Sequence, residues 1–254
     1  MEDVIEGGAE KVCIPIAEYI IGDHTSDKIS TKTRFDAQDG AFGEIWQACE
    51  SGACKYILKY QKFRAENENT GTPAITKASI IREALLQNEF AKLKLAPKVK
   101  DSWLCDKGGV IVMPALKKTA YSLFGIYDDI EVYYLILASC LSLIRRLHEK
   151  GYYHGDATIS NIMVNYSSSD MEDAEDEVED MKKYKAMRYK YYFIDMGLSG
   201  RLDNEKDNKR LMDTDYQILA MSIQDKYDHA TKTSFEKNFI GMIDFMSEYM
   251  REIN

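Results

Sequence analysis

The sequence predicts an α+β fold of two lobes, a β-rich lobe over residues 1–113 and a mainly helical lobe over residues 114–254, and three observations carry that expectation. The first third of the chain alternates apolar and polar residues with the two-residue period of strands. From about Ser79 the apolar spacing changes to the period of a helix. The longest apolar stretch, in the second half, is again helical and stops at a glycine.

Taken in order, "KVCIPIAEYII" (residues 11–21), "EIWQAC" (44–49) and "CKYILKY" (54–60) are β-rich runs. A polar stretch, Ala65 to Lys77, is expected to be a mobile loop. "SIIREALLQNEFAKLKLA" follows, with Ile80, Ala84, Gln87 and Phe90 at helical spacing and Pro97 ending the element. "GGVIVMPAL" reads as a short buried strand running into a linker, Pro114 to Lys118. The next helix extends from about Asp129 to Lys150 and stops at Gly151. A cleft between two such lobes is a usual place for a ligand.

Composition narrows the classes. The formal net charge of -9 disfavours nucleic acid as a direct partner, and most of it belongs to one segment, "DMEDAEDEVED" (Asp170 to Asp180), which holds eight acids and no base. That segment lies in an insert, Ser167 to Lys190, whose second part is basic ("KKYKAMRYK"). A solvated loop or hairpin and a docking segment are both open readings of it. Cys13, Cys49, Cys54, Cys105 and Cys140 form no CxxC pair and no metal-like spacing with the histidines, so reduced thiols in an intracellular protein, cytoplasmic or nuclear, are expected. No secretory leader is evident at the start. The apolar run Tyr133 to Ile144 is too short to span a bilayer, so no membrane partner is expected.

The chemistry gathers around "HGDATISN". Asp156 and Asn161 stand five residues apart between a helix and the apolar strand "IMV", so one carboxylate and one carboxamide can be aimed from a single loop. That pairing suits phosphoryl transfer, with Asp accepting the proton of an attacking hydroxyl and Asn holding Mg²⁺. "YYFIDMGLSG" supplies a second candidate metal ligand, Asp195, at a strand end. Upstream, Gly40 and Gly43 in "DGAFGEIW" would let a turn close over phosphates, with Phe42 at its tip. Sixteen residues after Gly43, Lys59 ends "YILK", and Glu83 in the following helix is placed to meet it. Singly, each has a plainer reading: a solvated strand-end lysine, a chance turn, a packed core histidine at His154. Their order along one chain is what favours the chemical reading.

In that order the residues resemble the eukaryotic-like protein kinase superfamily over nearly the whole length. The resemblance implies a protein-kinase-like fold with a trimmed C-terminal lobe, ATP and Mg²⁺ (or Mn²⁺) as cofactors, and a protein substrate or partner complex. It implies that Gly40 and Gly43 are the second and third glycines of the glycine-rich loop, with Gln38 replacing the first, and that Ile45 is the aliphatic residue after them. Lys59 and Glu83 resemble the strand lysine and its helix partner, and Met113 the gatekeeper. Pro114, Ala115 and Leu116 resemble the hinge that reads adenine. Asp156 and Asn161 resemble the catalytic-loop pair, and Asp195 the Asp of the DFG segment, here "DMG". Asp215 in "DTDYQIL" resembles the helix Asp that braces the catalytic loop, although a helix N-cap is an equal reading of it.

Departures refine the likeness. Gly155 stands where most of these kinases carry Arg, and Thr158 where Ser/Thr kinases carry Lys. The segment after Asp195 is short, so a switch by activation-loop phosphorylation is not expected. The loop and "REALLQNEFAKLKLAPKV" are similar to the small KEOPS-complex type of kinase, with the vaccinia-related kinases second, and a divergent viral kinase would combine such features. The acidic insert and the tail "MSEYMREIN" depart from the KEOPS type. A Ser/Thr protein kinase is the activity implied. An aminoglycoside-type small-molecule kinase and an ATPase or pseudokinase subunit of a partner assembly remain the alternatives.

Overall fold

The computed structural model describes residues 19–20, 28–34, 43–50, 53–67, 72–126, 130–165 and 189–229. The chain divides into two compact units, Met1–Ala115 and Leu116–Asn254.

The first unit is built on a six-stranded sheet of β1 (Tyr19–Ile20), β2 (Lys28–Arg34), β3 (Glu44–Glu50), β4 (Ala53–Lys62), β5 (Asp101–Cys105) and β6 (Gly108–Pro114), in the order β1-β2-β3-β4-β6-β5. All neighbours are antiparallel. Because side chains alternate across a strand, β4 sends Leu58 and Tyr60 to one face and Ile57, Lys59 and Gln61 to the other. On the first face Leu58 and Tyr60 pack with Ala48, Trp103, Val110 and Val112. On the second, Ile111 and Met113 of β6 pack with Ile80 and Ala84 of helix α1 (Lys77–Lys92). Strand β6, flanked by β4 and β5, is therefore buried on both faces, which explains why "GGVIVM" is a continuous apolar run rather than an alternating one.

Helix α1 begins where local chemistry places it, two residues ahead of the expected Ser79. Thr76 Oγ1 accepts from the Ser79 amide at 3.1 Å and Ser79 Oγ accepts from the Thr76 amide at 2.8 Å, a reciprocal cap that meets two otherwise orphaned donors. The helix ends before Pro97 is reached. Lys94 takes a left-handed φ of 60°, the Leu95 amide donates to Phe90 O and the Lys94 amide to Ala91 O, while Leu95 and Phe90 are both buried.

Several expectations change here. β2, β5 and the helix α2 (Ala120–Ile126) were not anticipated: "KISTKTR" carries almost no apolar alternation, and "DSWLC" takes its place from pairing with β6. The expected strand over residues 11–21 lies outside the described residues except for Tyr19–Ile20. The stretch expected to be a mobile loop is partly paired, with Arg64 bridging Ile75 and Asn67 bridging Thr72. The reduced state expected of all five cysteines is also corrected, because Cys54 and Cys105 are each disulfide-bonded. Cys140 is free and buried, and burial pushes its thiol up to about 12.

The second unit contains β7 (Lys118–Thr119), α2, α3 (Ile130–Glu149), β8 (Tyr152–Tyr153), β9 (Ile162–Asn165), β10 (Lys190–Phe193), a 3-10 turn (Met196–Leu198), β11 (Gly200–Arg201) and α4 (Glu205–His229). One small sheet orders β10-β9-β7 and another pairs β11 with β8. Helix α3 buries Val132, Ile136, Leu137, Leu141, Ile144 and Leu147. No helix among the described residues is long and apolar enough to cross a membrane. The insert Ser167 to Lys190 lies outside the described residues apart from its last two positions.

Thr76 is exposed, and Ser79 Oγ also donates to the Thr76 carbonyl, a bond that Thr76→Ala keeps, so this substitution isolates the Thr76 hydroxyl. We expect a loss of about 1 kcal/mol, read as a lower denaturant midpoint at unchanged m-value in urea unfolding.

Candidate active site

In the first unit the register sets Ile45, Lys59 and Ile111 side by side on the face that meets α1. Lys59 Nζ lies 2.8 Å from Glu83 Oε1, and the two side chains are 6% and 2% exposed. The other carboxylate oxygen, Glu83 Oε2, accepts from Gln61 Nε2 at 2.9 Å. A buried ion pair is a poor source of net stability, since desolvation offsets most of its attraction. Finding one on a strand beside a helix therefore points to use rather than to packing.

Gly43 has a φ of +146°, and a Cβ there would lie 2.3 Å from the Tyr60 carbonyl oxygen. Its glycine is thus required by the neighbouring strand, a reason different from the close approach of phosphates expected from sequence. Gly40 and Phe42 lie outside the described residues.

Met113 is buried, and its Sδ accepts from Gln87 Nε2 at 3.4 Å. The Ala115 amide donates to Lys55 O at 2.8 Å, so Ala115 cannot offer its N–H to a base. That bond also makes 55 and 115 a hydrogen-bonded pair of the antiparallel ladder and Tyr56 and Pro114 the non-bonded pair, where the missing proline N–H leaves nothing unmet. In the second unit the Leu116 N–H has no partner among the described residues.

In the second unit the loop between β8 and β9 carries Asp156 and Asn161. Asn161 Nδ2 donates to Asp156 Oδ2 at 2.7 Å and to the Asp156 carbonyl at 3.0 Å. Both amide hydrogens are therefore directed at Asp156, and the Asn161 Oδ1 makes no hydrogen bond among the described residues. Thr158 braces the turn from within, its Oγ1 accepting from the Asn161 amide at 3.2 Å. Asp195 follows β10 with a left-handed φ of 63°, a conformation that Asp tolerates better than most residues. The chain is pinned just before it, where the Ile194 amide donates to Asn161 O at 3.0 Å, and just after it, where Met196 is buried. Oxygen donors of this kind suit Mg²⁺ or Mn²⁺. Among the described residues no cluster of three or more His, Cys, Asp or Glu could by itself enclose an ion.

His154 is fully buried against the Phe193 ring, with centroids 4.7 Å apart. Its Nδ1 accepts from the Asp156 amide, so the proton sits on Nε2, which donates to Ile194 O at 3.0 Å. Burial holds its pKa below the usual imidazole value, against the opposing pull of Asp215, Asp195, the Ile194 carbonyl and Asp156. A neutral histidine with both nitrogens engaged is a brace, not a base.

Asp215 is no N-cap. It lies inside α4, fully buried, and accepts from the His154 and Gly155 amides at 2.9 and 2.7 Å while His148 Nε2 lies 2.9 Å from its Oδ2. Two turns further on, Ser222 Oγ accepts from the Ile159 amide at 3.1 Å. Sequence reading missed His148, Ser222 and Gln61. His148 and Asp215 are far apart in sequence, and neither Ser nor Gln has a signature of its own.

No family model matches the chain, and no curated protein does. Among solved structures it is similar to the BubR1 kinase domain, at a TM-score of 0.51 and 14% identity over 79% of this chain and 55% of that one. It is also similar to vaccinia related kinase 3, at 0.42 and 18% over 68% and 48%. The chain thus spans about half the length of these structures. The fold is protein-kinase-like, with an antiparallel sheet in the first unit and helices predominating in the second.

Asp215→Ala leaves two backbone donors and His148 without their acceptor, and we expect a loss of about 3 kcal/mol or more in denaturant unfolding, with Asp215→Asn intermediate. His154 adds a pH dependence. Its folded pKa is depressed, so on acidification below about pH 6.5 the unfolded chain takes up a proton that the folded one refuses. Stability then falls by up to about 1.4 kcal/mol per pH unit until the folded pKa is passed, and His154→Gln removes that slope.

Proposed function

We propose that the chain is an ATP- and Mg²⁺-dependent phosphotransferase acting on Ser or Thr hydroxyls of a protein substrate or partner. The observation that carries this reading is the orientation of Asn161, whose amide hydrogens both hold Asp156 while its oxygen is left for a cation. A base and a metal ligand are thereby fixed side by side on one loop. The kinase-like fold and the buried Lys59–Glu83 pair support it.

In this reading Asp156 accepts the proton of the attacking hydroxyl as its oxygen bonds to the γ-phosphorus, and the bond to the β,γ-bridging oxygen breaks to release ADP. Lys59, oriented by Glu83, presents its ammonium to the α- and β-phosphates. Asn161 and Asp195 would hold the metal, which when bound would neutralise phosphate charge. Pro114 O and the Leu116 N–H are the backbone groups left to read adenine, with Met113 as gatekeeper. Gly155 offers no cation to an activation-loop phosphate, so the loop geometry rests on Asp215, Ser222 and the loop's own hydrogen bonds rather than on such a phosphate. The finer likeness to the KEOPS-complex type rests on "HGDATISN" and on the helix that carries Glu83.

Intact-mass spectrometry with ATP and Mg²⁺ or Mn²⁺, with generic acceptor proteins present, tests this. Phosphate should be added by wild type, and about 10²- to 10⁴-fold more slowly by Asp156→Ala. Nucleotide at about 100 times its Kd should stabilise wild type by about 2.7 kcal/mol in a thermal shift, and Lys59→Ala and Asp195→Ala should lose that shift. Wild type that neither transfers phosphate nor gains stability would overturn the reading.

A further inference from the structure

We propose that Gln61 is a positioning residue that keeps Glu83, and through it Lys59, in the paired arrangement whether or not nucleotide is bound; this rests on the phosphotransferase reading above. Lys59 and Gln61 are two residues apart on β4, so both point at α1. They take one oxygen each of the same carboxylate, Lys59 Nζ on Oε1 at 2.8 Å and Gln61 Nε2 on Oε2 at 2.9 Å. A single lysine contact fixes a carboxylate at one point, and the long flexible lysine stem can follow a helix that shifts. Two donors from one strand fix the rotation of the carboxylate as well as its distance.

The rest of the Gln61 environment shows that Glu83 sets the amide's orientation. Gln61 is 4% exposed and its Oε1 has no hydrogen-bond partner among the described residues. Turning the amide over would set that oxygen against Glu83 Oε2, acceptor against acceptor. The side chain therefore carries a buried, unmatched acceptor in order to keep its donor on Glu83, an imperfection that a hydrocarbon at this position would avoid.

The remaining ties of α1 agree with a helix that is held rather than switched. Its start carries the Thr76–Ser79 cap, and farther along Gln87 Nε2 donates to Pro97 O at 3.1 Å while Asn88 Oδ1 accepts from the Val99 amide at 3.1 Å. The ammonium is thus preorganised for phosphates, and binding need not first draw the helix into place.

The test uses the full chain and the Kd for ATP with Mg²⁺, beside the melting midpoint without nucleotide. Gln61→Met, of similar size, takes a donor from the buried Glu83 carboxylate, so it should lower the nucleotide-free midpoint while the chain still folds, and weaken ATP about tenfold. Gln61→Asn, whose amide is one methylene short of Glu83, should weaken it similarly. In a Glu83→Ala background Gln61→Met should have no further effect, which a merely structural role for the side chain would not produce. The inference is overturned if both variants bind ATP like wild type, or if Gln61→Met weakens binding equally without Glu83. A wild type that binds no ATP overturns the phosphotransferase reading and this inference together. Wild-type binding that is lost in Lys59→Ala but kept in both Gln61 variants overturns this inference alone.

Discussion

A carboxylate withdrawn from water must have its oxygens met by donors, and in the second unit that requirement organises everything around Asp215. The residue is fully buried in α4, and the donors that reach it are two consecutive backbone amides at the end of β8 and a ring nitrogen from α3. One side chain thus joins two helices to the strand that leads into the loop of Asp156 and Asn161. His154 and Gly155 can have their amides convergent only if the chain turns there, which is why Asp156 leaves the turn in a defined direction. Ser222, from the same helix, holds the loop again at Ile159. The loop that carries Asp156 and Asn161 is suspended from α4 at two points, and its own hydrogen bonds do the rest.

Gly155 shows the same constraint from the other side. By resemblance it is a missing arginine, and so a missing cation. The structure adds a steric reason: its φ is +79°, and a Cβ would lie 2.5 Å from the Leu198 carbonyl oxygen. The residues after Asp195 therefore close directly onto the loop backbone, where Ser199 Oγ also donates to His154 O at 2.9 Å and Gly200 pairs with Tyr153. A side chain at 155 and this close approach exclude one another. The absence of the cation and the tight docking of the following segment are two consequences of one glycine.

What the sequence made legible follows from how distinctive each residue's chemistry is. Lys59, Glu83, Asp156, Asn161 and Asp195 are polar or charged residues set in or beside apolar runs, and their order singled them out, with the resemblance of its helix deciding for Glu83 over Glu89. The two β-rich runs from Glu44 to Tyr60 and the helix carrying Glu83 were readable by period, because each has one face in a core. β2 and β5 were not, because their place is decided by the strands they pair with, and a polar strand such as "KISTKTR" has no period to read. Gln61, His148 and Ser222 were missed for a related reason. Each acts through one hydrogen bond to a residue remote in sequence, and nothing in an isolated Gln, His or Ser announces that partner. The disulfides of Cys54 and Cys105 depend likewise on proximity in space.

Two carboxylates of the second unit are held in different ways, and the difference matches the roles proposed for them. Asp156 is oriented through its side chain, by the Asn161 amide at 2.7 Å. Asp195 is set by its backbone, in a left-handed conformation that costs about 1–2 kcal/mol and persists because the flanking residues are tied down. Ile194 supplies both ties on one side, its amide to Asn161 O and its carbonyl to His154 Nε2. The backbone of Asn161 thereby positions Asp195 while its side chain positions Asp156, and its remaining oxygen lies between these two duties. A shift of Asn161 would disturb Asp156, Asp195 and the strained turn together, so this single residue couples the groups on which the proposed phosphoryl transfer would depend.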